Sequence, residues 1–95
     1  MRNDIRSITI RFDDRTKTFE GRMAWTLRQL IAAGITGCTP ITHPAPRWSD
    51  YVFKLRRDGL NIETVTEKHG GVYAGHHARY ILRTPVSVVE MREAA

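Results

Sequence analysis

Apolar and polar positions alternate early in the chain. Across residues 5–12, Ile8, Ile10 and Phe12 share one side and Thr9 and Arg11 the other, the period of two that marks a strand with one buried face. Asp13, Asp14 and Arg15 then supply turn chemistry before residues 16–19, so the segment predicts an N-terminal β-hairpin. Between Gly21 and Ala33 the period lengthens: Met23, Leu27, Leu30 and Ile31 recur at helical spacing, Arg22, Arg28 and Gln29 are left for water, and Gly34 is placed to end the helix. Residues 35–46 contain Pro40, Pro44 and Pro46 and cannot support a long helix, which predicts a short strand or turn with at most one helical turn around Ile41.

The most informative pattern lies at 47–58. Trp48, Tyr51, Val52 and Leu55 fall at i, i+3, i+4 and i+7 and stack along one side of a helix. The opposite side carries Arg47, Asp50, Lys54 and Arg57, flanked by Ser49, Phe53 and Arg56, so the surface left to water is mostly cationic and holds one exposed ring. Pro46 suits the first turn, where its missing N–H costs nothing, and Gly59 suits the left-handed position past the end. Residues 61–67 are rich in β-branched side chains, and in 78–83 Tyr80 and Leu82 alternate with Arg79 and Ile81, so two antiparallel strands are expected. Residues 68–77, with Gly70, Gly71 and Gly75, read as a mobile hairpin loop between them. Pro85 closes the second strand, and residues 86–95 form either a frayed tail or a short element packed on the N-terminal hairpin.

Composition sharpens this picture. With 95 residues and 41% apolar content the chain can close one core, as a single small domain. Fifteen basic residues against ten acidic ones give a net charge of +5, which favours a polyanionic partner such as nucleic acid and equally serves solubility. The single cysteine, Cys38, excludes an internal disulfide framework; the opening residues contain no apolar run of signal-peptide type, and no stretch approaches the ~18 apolar residues of a membrane span. A soluble protein of the reducing cytoplasm is expected.

The order helix, short connector, basic helix, strand, glycine-rich loop, strand is joined by specific residues. G-x-T at Gly37 and Thr39, R-W-x-x-Y-V-x-x-L-R-R-x-G at 47–59, I-E-T at 62–64 and A-R-Y-x-L at 78–82 together resemble small winged helix-turn-helix proteins of bacteria and their phages, over roughly residues 22–83. The resemblance implies an α+β winged helix-turn-helix fold, to which the alternation at residues 5–19 adds an N-terminal β-hairpin. It also implies DNA binding, with the helix that begins near Arg47 as the recognition element and residues 68–77 as the wing. The middle helix, usually longer in that family, is truncated here by the three prolines. Residues 1–20 form an extension outside the resemblance, open to a role as a dimer contact or as a cap on the wing sheet, and residues 84–95 form a C-terminal tail.

A helix entering the major groove brings its N-terminal half nearest to the base edges, which nominates Arg47, Ser49, Asp50 and Phe53, with Lys54 and Arg57 further along. Arg47 can fork onto guanine O6 and N7, and Phe53 can touch a thymine methyl. Asp50 can accept from a cytosine amino group or pair with Lys54 within the helix. Arg56 and Arg57 are placed for phosphates or for the helix dipole. In the wing, Lys68, His69, His76 and His77 could follow the backbone or enter the minor groove, or could line a solvated hairpin. Arg79, at the wing's base, is a further phosphate candidate or the partner of Glu67 or Glu63. Cys38, His43, His69, His76 and His77 lack the paired spacing of a zinc site, and Cys38 with His43 lacks a third group to orient a base, so neither metal, cofactor nor catalysis is expected. Trp25 and Trp48 are assigned to the core. Two other readings stay open: a winged helix that contacts a protein through Phe53 and the hairpin, and a single-strand binder stacking bases on Tyr73 and Tyr80.

Overall fold

The computed structural model describes residues 5–71 and 75–93. Its elements run β1 (Ile5–Phe12), β2 (Arg15–Glu20), α1 (Gly21–Ala33), a 3-10 turn (Gly34–Thr36), α2 (Trp48–Arg57), β3 (Ile62–His69), β4 (Gly75–Leu82) and β5 (Ser87–Glu93).

Ile8, Ile10 and Phe12 of β1 are fully buried, while Arg6 and Arg11 face water. Asp13 and Asp14 both have positive φ, 50° and 61°. Two left-handed residues in a two-residue loop make the turn whose twist matches a hairpin, and aspartate tolerates that conformation better than most side chains. β2 returns antiparallel with Phe19 opposite Ile8. Along the other edge of β1 runs β5, also antiparallel, with Met91 opposite Ile8 and Val88 opposite Ile10. Of the two options open for the C-terminal residues, the packed element is the one that forms. The sheet order is β2-β1-β5.

α1 lies over β1 and β2 and also meets α2 and β4. Flanked on several sides, it buries a broader stripe than its periodicity suggests: Ala24, Thr26, Leu27 and Leu30 are buried, and Arg28 and Gln29 are half-buried rather than exposed. The Thr26 hydroxyl is satisfied within the helix by donating to the Arg22 carbonyl at 2.8 Å.

The second sheet pairs β3 with β4 from Ile62 opposite Leu82 to His69 opposite Gly75. Both strands run further than their β-branched stretches indicate, so the wing loop shrinks to residues 70–74, of which 72–74 lie outside the described residues. His69, His76 and His77 therefore belong to strands, not to a loop. Cys38 adds a bridge to β4 through two hydrogen bonds with Tyr80, 2.9 and 2.8 Å. The approach requires Gly37: its φ is 75°, and a Cβ there would lie 2.7 Å from the Tyr80 carbonyl oxygen. One apolar cluster joins Ile8, Ile10 and Phe12 of the first sheet to Leu27 and Leu30 of α1, Trp48, Val52 and Leu55 of α2, and Ile62 and Tyr80 of the second.

Candidate nucleic-acid interface

The connector before α2 is built by one threonine. Thr39 Oγ1 accepts from the amides of Ile41 and Thr42 at 3.1 and 2.9 Å, and the His43 amide donates to the Thr39 carbonyl at 2.9 Å. That is a capped single helical turn, the whole of the middle helix, and Pro44 cannot extend it because it has no N–H to donate. The next support is Trp48, whose Nε1 donates to the His43 carbonyl at 2.7 Å. Its ring stacks on Tyr80, 5.9 Å between centroids, and meets Trp25 edge-on at 5.8 Å. The indole thus fixes the start of α2 against both α1 and the wing sheet.

α2 ends as cleanly. The Leu60 amide donates to the Leu55 carbonyl and the Gly59 amide to the Arg56 carbonyl, at 3.2 and 3.0 Å, with Gly59 at φ 104°. This pair of bonds is a Schellman motif, closed by apolar contact between buried Leu55 and Leu60. The N-terminal hairpin holds the same end: Arg15 Nη2 donates to the Asp58 carbonyl at 2.8 Å, and Lys17 Nζ lies 3.4 Å from the Asp58 carboxylate. The hairpin, outside the 22–83 segment of the motifs, thus braces the end of α2.

With Trp48, Val52 and Leu55 buried, α2 presents the opposite side to water. Arg47 is exposed and left-handed, φ 66°, just ahead of the helix, and Ser49 is exposed beside it. Asp50 pairs with Lys54 at 3.2 Å, the intrahelical alternative rather than a carboxylate free for a base. Phe53 is 60% exposed, and the Arg57 guanidinium lies 5.9 Å from its ring centroid. Arg56 is held by the start of β3: its Nε and Nη2 donate to the Ile62 carbonyl at 3.0 and 2.6 Å, and Nη2 also reaches Thr64 Oγ1 at 2.6 Å. It clamps the start of β3 to the helix end.

In the hairpin the predicted residues divide. Lys68 and His76 are exposed and sit opposite each other in the register. His69, His77 and Arg79 turn instead to a network around Glu67, which corrects the picture of a free basic wing. Arg79 forks onto Glu67 through Nε at 2.6 Å and Nη2 at 3.0 Å, and Nη1 donates to the Thr36 carbonyl at 2.8 Å. His77 Nε2 lies 3.1 Å from Glu67, and its Nδ1 is 2.8 Å from His69 Nδ1. One tautomer set satisfies both contacts: His77 donates from Nε2 to the carboxylate and accepts at Nδ1 from His69. The Arg79 hydrogen bond, against partial desolvation and with help from His77, holds the Glu67 carboxyl below the ordinary carboxylate range, and Glu67 in turn raises Arg79. Arg83 pairs with Glu63 at 2.6 Å.

Cys38 is fully buried, and burial pushes its thiol up to about 11, opposed only by the charge of Arg79. His43 contacts Thr42 Oγ1 at 2.9 Å, an arrangement that gives Cys38 no base. Among the described residues no three His, Cys, Asp or Glu side chains are grouped to hold a metal. Tyr80 is buried under Trp48 and is no platform for bases; Tyr73 lies outside the described residues.

A family model for the winged helix domain matches residues 16–92. The chain belongs to this family. The match runs past the 22–83 segment of the motifs and takes in nearly all of β2 and β5, while β1 lies outside it. No curated protein and no solved structure matches the chain. No helix among the described residues is long and apolar enough to cross a membrane. A winged helix of this kind is consistent with DNA binding.

Two supports of this winged helix escape periodicity. Arg56 looks like one more cation on a basic helix, and only the three-dimensional position of the Ile62 carbonyl shows its role. Arg15 and Asp58 are 43 positions apart, and nothing local links them. Thr39, by contrast, carries a legible signal, a threonine ahead of a proline and a short polar run.

Proposed function

We propose that this winged helix binds double-stranded DNA sequence-specifically through α2, as a transcriptional regulator or accessory DNA-binding protein of bacterial or phage origin that works in the cytoplasm without enzymatic activity. The observation that carries this reading is the outward side of α2, where Arg47, Ser49, Phe53, Lys54 and Arg57 face water beside a fully buried apolar side. A helix of ten residues at ~1.5 Å each is about 15 Å long, short enough to lie in a major groove about 12 Å wide. Arg47 and Ser49 stand at its N-terminal end for base readout, with Phe53 one turn on; Asp50 orients Lys54, and Lys54 and Arg57 contact phosphates. From the hairpin, Lys68 and His76 add backbone contacts.

The test is fluorescence anisotropy against random duplex and matched single strands at two salt concentrations, then against a selected site. Duplex binding should exceed single-strand binding and fall steeply with salt. Arg47→Ala should cost about 1–3 kcal/mol at the selected site and relax its sequence preference, whereas Arg57→Ala should weaken all duplexes alike and flatten the salt slope. A second reading, a winged helix that docks on an acidic protein, draws on Phe53 and Ile41, 60% and 56% exposed. Absence of duplex binding even at low salt would favour it, with Phe53→Ala as the decisive variant.

A further inference from the structure

The sheet β2-β1-β5 ends on two edges of different character. The β2 edge passes directly into α1, which limits how far another strand could extend along it. Every residue of β5 is exposed, including Val88 at 44%, Val89 at 58% and Met91 at 40%. Among the described residues no strand occupies its outer edge. An unpaired edge that carries three exposed apolar side chains is a template for another strand, and the charges of Glu90, Arg92 and Glu93 restrict which strand fits.

We propose that β5 is the surface through which two copies of this chain associate, pairing antiparallel with itself about a two-fold axis at Met91 to form one continuous six-stranded sheet.

The register is set by the pleat and the charges. Met91 lies opposite Ile8 and so projects to the core side; Glu90 and Arg92 lie opposite Thr9 and Ser7 and project outward; the register shift between Thr9 and Ile10 makes Val89 a bulge. A two-fold normal to the sheet must set core-side residues against core-side residues, so it passes through a residue rather than between neighbours. Axes at Val88 or Val89 put the bulge at or beside the centre of the ladder and break the alternation there, whereas an axis at Met91 leaves it at the ends, opposite Glu93. Axes at Glu90, Arg92 or Glu93 set like charges directly opposite, which is destabilising. The axis at Met91 sets the two Met91 side chains together and Glu90 opposite Arg92 twice. Within one chain Glu90 and Arg92 already lie 3.5 Å apart on the outer face, so the pairing creates four charges of alternating sign.

β5 lies in a different sheet from β3 and β4 and carries none of the residues proposed to touch DNA, so this inference and the DNA reading fail separately. Sedimentation equilibrium of the purified chain over a concentration series should show a monomer–dimer equilibrium. Glu90→Arg and Arg92→Glu each place like charges across the axis and should weaken self-association at least about tenfold. Both positions are exposed, so far-UV circular dichroism, and the melting temperature at concentrations where the wild type is monomeric, should match the wild type. An equimolar mixture of the two variants restores opposite charges at every pair and should recover the dimer, as should the double variant with both charges exchanged. A wild type that stays monomeric throughout, single variants that dimerise like the wild type, or a mixture that fails to recover would each overturn the proposal.

Discussion

α2 and the β3–β4 hairpin both carry basic side chains, but the helix turns them to water while the hairpin turns most of them inward. On α2 the one acid within reach of the exposed side is Asp50, which occupies Lys54 and leaves Arg47 and Arg57 outward. Asp58, at the helix end, is held by Arg15 and Lys17. On the hairpin, Glu63 and Glu67 each reach an arginine of β4 or just beyond it, and Glu67 takes His77 as well. The net charge of +5 is therefore unevenly available. What a cation can offer a polyanion depends on whether the fold places a carboxylate on the same face first.

The contact that joins the two regions should show the largest effect. Trp48→Ala removes the stack on Tyr80 and the bond to the His43 carbonyl, and should cost about 3–5 kcal/mol of stability by urea unfolding. A loss below about 1 kcal/mol would mean that helix and hairpin are held together by something else. The comparison itself is tested by removing charge from each kind of site. Lys68→Ala should flatten the salt slope of duplex binding by up to about one, whereas Arg79→Ala should leave the slope unchanged and lower the melting temperature. Equal slopes for the two variants would end the distinction. The smallest effect concerns pH. Because the folded state holds the Glu67 carboxyl below its ordinary range, the stability this contributes is complete above the unfolded value of about 4.3 and is lost as pH falls through the lowered folded value. The melting-temperature gap between the wild type and Glu67→Gln should thus narrow as pH falls below about 4.3; a constant gap would show that the carboxylate's charge is immaterial.

Much of this molecule is legible from local pattern. The alternation of Ile8, Ile10 and Phe12, the two helices and their glycine ends, and the truncation of the connector by prolines all obey backbone rules that act over a few residues. Side-chain commitments are less legible. Arg79 lies directly opposite Val65 in the register, and Glu67 is its diagonal neighbour, so sequence leaves Glu63 and Glu67 as equal candidates. The histidines near the wing resemble loop residues because glycines surround them, yet the ladder extends through His69 and Gly75. Sequence leaves the N-terminal hairpin open between dimer contact and cap on the wing sheet; within the chain it holds the C-terminal end of α2 and pairs with β5. Its grip on Asp58 and the β5 pairing each join distant parts of the chain, where periodicity is silent.

The place of β1 between β2 and β5 also sets the order in which the chain can fold. One side of β1 closes through the two-residue turn at Asp13 and Asp14, a local event on the scale of about 1–10 μs. The other side waits for residues 87–93, since Ile5 pairs with Glu93, and closing so long a loop is entropically costly and slow. During synthesis the strand bearing Ile8 and Ile10 emerges early and is completed late, with an open edge in between. A truncation that removes residues 87–93 should therefore leave one edge of β1 unpaired and favour aggregation.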